Sequence, residues 1–139
     1  MSKAAPFSMR LSDATDRLVT EEAKRIRRPK GAVVEALTEE ALQTRRFPGI
    51  AFRGSDWNRR PWVLGTALDV WEIVAASRSY STPSEMVAAT DLTEPQIRLA
   101  LAYYDEFSEE VDDAIAESQR PLAELQHQYP TIDTIAVGD

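Results

Sequence analysis

The chain has 139 residues, with 16 Lys/Arg against 23 Asp/Glu for a formal net charge of −7, and no cysteine. That length suits one medium domain or two small ones, and the missing cysteine excludes a disulfide framework, thiolate metal ligation and a cysteine nucleophile. No apolar run reaches the roughly 18 residues of a membrane span, and the start MSKAAPFSMR lacks the apolar stretch of a secretory signal, so a cytoplasmic, soluble protein with no membrane partner is expected.

The first element in chain order is the segment PFSMRLS. Phe7, Met9 and Leu11 fall on one face and Pro6, Ser8 and Arg10 on the other, a period of two that predicts a short strand. Ser12 or Asp13 offers a helix cap, and Leu18, Val19, Ala23 and Ile26 then recur at near-helical spacing. Arg28-Pro29-Lys30-Gly31 breaks that helix, because a proline disfavours helical geometry before it and suits the start of a new helix. The second helix is expected to run to about Thr44, with Val33, Val34, Leu37, Ala41 and Leu42 as its apolar stripe. A strand this short needs a partner for its backbone groups. With no second strand nearby, the economical partner is the same strand of another copy, which turns Phe7, Met9 and Leu11 into the core of a dimer.

Residues 45–65 are rich in arginine, proline and glycine and read as an irregular basic connector with room for one short strand. Beyond it, Leu68, Val70, Trp71, Val74 and Ala75 outline a helix starting near Asp69. Thr82-Pro83-Ser84-Glu85 and Thr93-Glu94-Pro95-Gln96 have the pattern of capping boxes with proline in the first turn, opening a short helix with Met86 and Val87 and then one with Ile97, Ala100, Leu101 and Tyr104. Ser108 is expected to cap an acidic helix carrying Val111 and Ile115, and Pro121 to end or kink it. In the tail, Ile132, Ile135 and Val137 suggest an edge strand or a docking segment. The expected division is 1–46, 47–64 (connector), 65–119 and 120–139 (tail).

Charge is unevenly divided along this plan. Residues 1–64 carry 13 Lys/Arg and 8 Asp/Glu, a balance of +5, whereas residues 65–139 carry 3 and 15, a balance of −12. The first half can face phosphate; the second would be repelled by it and suits a protein partner.

The order strand, helix, turn, helix, with Phe-Ser-Met-Arg-Leu at its start, resembles the ribbon-helix-helix repressors over roughly residues 5–44. That resemblance implies paired strands in the major groove of operator DNA, with Ser8 and Arg10 reading base edges. Arg10 can bond a guanine in two places, and Ser8 can donate or accept. Pro6 holds the third reader position but departs from the usual polar residue. Lys30 and Gly31 match the family's phosphate clamp at the start of the second helix, where free N–H groups and the positive dipole end meet an anion, and Arg27 and Arg28 can add backbone contacts.

Residues 48–107 are similar to the family of unknown function numbered 433. The similarity lies in Phe47-Pro48-Gly49-Ile50, Gly65-Thr66, Asp69-Val70-Trp71-Glu72-Ile73-Val74, and Leu92-Thr93-Glu94-Pro95-Gln96-Ile97-Arg98 through Ala102-Tyr103; Leu64 stands where an arginine usually precedes the Gly-Thr pair. It implies a small helical domain of helix-turn-helix character. Its presumptive reading helix carries Arg98 but also Glu94, Asp105 and Glu106, and phosphate repulsion outweighs one arginine, so packing, dimerisation or toxin contact is the expected role.

The two modules together resemble VapB-type antitoxins. The implied function is that of an antitoxin in a type II toxin–antitoxin pair, which represses its own operon as a homodimer and neutralises a PIN-like ribonuclease toxin. Charge alone points to Glu109, Glu110, Asp112, Asp113 and Glu117 as a face for a basic groove on that toxin; a solvated helix face explains the same charges. A stand-alone regulator without a toxin, or an interaction adaptor whose ribbon touches no DNA, are alternative readings. An enzyme is not expected: His127 is the only histidine, no nucleophile motif accompanies it, and no metal ligand set or cofactor fingerprint is present. Trp57 and Trp62 in the basic stretch suggest base stacking or, more simply, packing.

Overall fold

A computed structural model describes residues 4–56 and 58–129. The chain divides into two compact units, residues 1–42 and 43–139, and is mainly helical with one small sheet.

In the first unit, α1 (Asp13–Ile26) opens on Ser12, whose hydroxyl accepts from the Thr15 N–H at 3.2 Å. Asp13 and Asp16 lie in its first turn and Lys24 and Arg25 in its last, the polarity that the helix dipole favours. The helix ends on Arg27 in the left-handed region (φ 58°), which lets the Arg28 N–H reach the Ala23 carbonyl at 3.0 Å. After Pro29 the chain enters α2 (Lys30–Arg46), as the sequence predicts. The core here is small: Val19, Ala23 and Val33 are buried, with Leu11, Ile26 and Val34 packed around them. Of the expected α2 stripe only Val33 is buried, while Leu37 and Leu42 stay exposed. Residues 4–12 form neither helix nor strand, so the short strand expected at Phe7, Met9 and Leu11 is not present in the single chain.

The second unit begins within the last turns of α2. Gln43 accepts from the Tyr103 hydroxyl at 3.3 Å, and Arg46 bonds Glu106 at 2.7 Å. Phe47 meets Tyr103 and Phe107 edge-on, with ring centroids 5.3 and 6.0 Å away. The structure corrects the connector expected at 47–64. The stretch forms an antiparallel hairpin, β1 (Ile50–Arg53) with β2 (Arg60–Val63), in the register Ile50↔Val63 through Arg53↔Arg60. Ile50 and Val63 face each other in the core and are essentially fully buried, so this stretch belongs to the second unit instead of bridging to it. The glycines that read as loop composition serve the turns around the strands: Gly49, Gly54 and Gly65 all have positive φ, a conformation that costs glycine little. Thr66 closes the turn after β2, its hydroxyl bonding the Val63 and Leu68 carbonyls.

Four helices complete the unit: α3 (Val70–Ser77), α4 (Pro83–Ala89), α5 (Glu94–Glu106) and α6 (Ser108–Gln128). The starts of α3, α4 and α5 fall where their caps predict. Thr93 and Gln96 form a reciprocal box at the start of α5. At α4 the Thr82 hydroxyl accepts from the Glu85 N–H, but the Glu85 carboxylate bonds the Ser81 N–H in place of that of Thr82. Val70, Ile73 and Val74 put α3 at the centre of the core, packed against α5 and α6. Two expectations for α6 are corrected. Phe107 is its cap and Ser108 its first residue. The helix also runs past Pro121 to Gln128, so the proline does not end it, and residues 116–129 are exposed. The expected tail therefore starts helical; its segment 130–139, with Ile132, Ile135 and Val137, lies outside the described residues, as does Trp57.

Candidate nucleic-acid interface

The residues expected to read bases are placed at the surface of the first unit. Pro6, Ser8 and Arg10 are exposed, and among the described residues no acid pairs with Arg10. The apolar residues that alternate with them are not covered by their own chain. Phe7 is 83% and Met9 64% exposed, and only Leu11 turns into the small core. Leu18 on α1 and Leu37 on α2 add to this bare apolar surface.

At the α1–α2 turn, Lys30 and Gly31 occupy the first positions of α2. The α2 first turn holds no acid, and a Cβ built on Gly31 would meet nothing within 4 Å, so this helix start is open. Lys30 is engaged by the Asp16 carboxylate, with both side chains half exposed. The backbone of Arg27 is committed to the α1 terminus, and Arg28 is partly covered.

The second unit gathers its arginines differently, in a cluster that the sequence does not announce. Arg53 and Arg60 stand directly opposite each other across the hairpin, a pairing of like charges that is unfavourable by itself. The Asp69 carboxylate lies between them. Arg53 Nε bonds one oxygen at 2.8 Å and Arg60 Nε the other at 2.7 Å, and Asp69 is 3% exposed. The Arg53 guanidinium also covers the Trp62 ring at 5.0 Å, and the Trp62 indole N–H donates to the Thr66 carbonyl at 2.6 Å. Arg59 donates to the Gly54 and Phe52 carbonyls. These side chains hold the hairpin to the start of α3 and leave Trp62 half-buried instead of offered for stacking. Alternation in IAFR and RPWV could have hinted at strands, but nothing local to Arg53, Arg60 or Asp69 marks them as one group.

On α5, Arg98 bonds Glu94 one turn earlier at 2.6 Å, so the one cation of the presumptive reading helix is neutralised within that helix. The acidic face of α6 is partly committed. Asp112 accepts from Arg78 at 3.2 Å and from the Tyr104 hydroxyl at 2.9 Å, and Glu117 pairs with Arg120 at 2.5 Å. Glu109, Glu110 and Asp113 are exposed. Among the described residues no group of His, Asp and Glu is arranged to hold a metal ion, and no helix is long and apolar enough to cross a membrane. No protein-family model, curated protein or solved structure matches this chain.

Proposed function

We propose that the chain is a ribbon-helix-helix repressor acting as the antitoxin of a type II toxin–antitoxin pair. Two copies pair through residues 6–11, present Ser8 and Arg10 to the major groove of operator DNA, and use the acidic second unit to engage a PIN-like ribonuclease. The observation that carries this reading is the imbalance of the first unit. Among its described residues this unit of 42 buries only Val19, Ala23 and Val33 while leaving Phe7, Met9, Leu18 and Leu37 exposed. Units of about 40 residues rarely stand without oligomerisation or cross-links, and a second copy supplies both the missing core and the missing strand. The alternation that buries Phe7, Met9 and Leu11 in such a dimer turns Ser8 and Arg10 outward.

The start of α2 supports the same orientation. An exposed ion pair such as Lys30–Asp16 contributes at most about 1 kcal/mol, so exchanging Asp16 for a phosphate costs Lys30 little. The Glu94–Arg98 pair and the acids of α5 and α6 speak against a second DNA contact and in favour of a protein partner for the second unit.

The test is a gel-shift titration of the full chain against its own upstream DNA, with an unrelated duplex as competitor. Wild type should prefer its own site. Arg10→Ala should lose about 1–3 kcal/mol of that preference for each guanine that Arg10 holds at two points. Equal binding to both duplexes by wild type, or undiminished preference in Arg10→Ala, would overturn the proposal.

A further inference from the structure

The helix α6 outlasts the core it packs on. Val111 and Ile115 are buried, yet every residue from 116 to 129 is exposed. The stripe that buries those two residues does not stop with them: Val111, Ile115, Ser118, Leu122, Leu125 and Tyr129 recur at alternating spacings of four and three. That spacing is one apolar helix face, and it has the alternation by which two helices can pair side by side. Its outer half, Leu122, Leu125 and Tyr129, is exposed, at 38%, 40% and 49%. A helical stretch this short is marginal in water by itself, and Pro121 removes one of its hydrogen bonds. It holds its shape best when the leucine face is covered.

The residues beside the seam indicate what covers it. Flanking the outer half are Gln119, Pro121, Gln126 and Gln128, all uncharged. The acids Glu109, Glu110, Asp113, Glu117 and Glu124 occupy outward heptad positions on the opposite side, together with Arg120, which pairs with Glu117. A basic partner is drawn to that acidic side, whereas the amide-flanked leucine strip suits a second strip of the same kind, which meets it without charge repulsion. The side-chain volumes also favour one orientation. Antiparallel pairing centred between residues 123 and 124 sets Leu122 against Leu125 of the other copy, and Ser118 against its Tyr129. The Ser118 hydroxyl is already bonded to the Ile115 carbonyl at 2.6 Å, so that position presents a small side chain with room for a large one. Parallel pairing would instead stack serine on serine and tyrosine on tyrosine, with a gap at one end and crowding at the other.

We infer that the outer half of α6 is a self-association seam, in which residues 118–129 of two copies pair antiparallel through Leu122 and Leu125. This contact is separate from the N-terminal pairing proposed above and does not depend on it.

The absence of native cysteine allows a direct test by disulfide trapping in the full chain. Purified Leu122→Cys and Leu125→Cys chains are mixed and oxidised, each is also oxidised alone, and Glu124→Cys serves as a control on the outward side that shares any other association of the chain. The mixture should form its cross-linked species at least about tenfold faster than the Glu124→Cys control, as expected for groups held at high effective concentration, and faster than either variant alone. Leu122→Gln/Leu125→Gln should lose the corresponding step in sedimentation velocity and lower helicity without altering the core unfolding transition. A mixed rate no higher than the control would overturn the seam. Fastest linking of Leu125→Cys to itself would overturn the antiparallel arrangement.

Discussion

Asp69 does three things with one side chain and its own backbone. Its carboxylate separates two arginines that face each other across the hairpin, its position begins α3, and its N–H donates to the Glu72 carboxylate at 3.0 Å. Removing one member of a buried ion pair typically costs about 3–5 kcal/mol, because the charge left behind has no partner. The arginine side chains here are about a third exposed, at 34% and 36%, and can turn to water, which lowers the cost. Asp69→Ala is expected to destabilise the second unit by about 2–3 kcal/mol, read as a lower urea midpoint at unchanged slope. Arg53→Met in that background should recover part of the loss by removing one of the two opposed charges. A midpoint within error of wild type for Asp69→Ala would show that the hairpin does not need the carboxylate. The ion-pair group is not legible from the neighbours of Asp69 in the chain: its arginine partners lie 16 and 9 residues away, and only the hairpin register brings them together.

At the scale of elements, local chemistry reads well and tertiary rescue reads poorly. The starts of α3, α4 and α5 are visible in Asp69, Thr82-Pro83 and Thr93-Glu94-Pro95-Gln96, because a cap satisfies N–H groups within its own first turn. The hairpin is not visible, because four-residue strands carry little period and three glycines and two prolines between residues 45 and 65 look like loop. What makes them strands is the burial of Ile50 and Val63 in a core assembled from residues up to 115. The helical path through Pro121 is hidden for the converse reason, since proline is a strong local signal for an ending that the exposed helix does not obey. The glycines give this a measurable form. At Gly54, with φ +113°, a Cβ would come within 2.2 Å of the Asn58 backbone carbonyl oxygen; at Gly49, with φ +105°, it would meet only the end of the Leu99 side chain, at 2.7 Å. Both alanine variants suffer the backbone strain of about 1 kcal/mol or more, but Leu99 can move aside and a backbone carbonyl cannot. Gly54→Ala should therefore lower the thermal midpoint more than Gly49→Ala, and the reverse order would contradict the hairpin turn.

The whole chain is polarised, +5 in its first 64 residues and −12 in the remainder, and the two ends are expected to respond to salt in opposite assays. DNA affinity falls with salt by a slope of about 0.9 for each phosphate neutralised. Lys30→Ala should therefore weaken binding to all duplexes alike and flatten the slope by about one for each phosphate it leaves unneutralised, with the preference set by Arg10 intact. If the chain binds DNA as proposed, the acids of α6 add long-range repulsion without touching specificity. Changing Glu109, Glu110 and Asp113 to their amides should raise affinity for any duplex at low salt and lower affinity for the proposed ribonuclease partner, with the latter effect fading as the Debye length shrinks from about 30 Å at 0.01 M to about 8 Å at 0.15 M. Asp112 and Glu117, held by Arg78, Tyr104 and Arg120 within the chain, should matter less to the proposed ribonuclease than Glu109 and Asp113. If the triple amide variant bound the ribonuclease as tightly as wild type in low salt, the acidic face of α6 would be a solvated surface, and the protein partner would have to be sought on another part of the second unit.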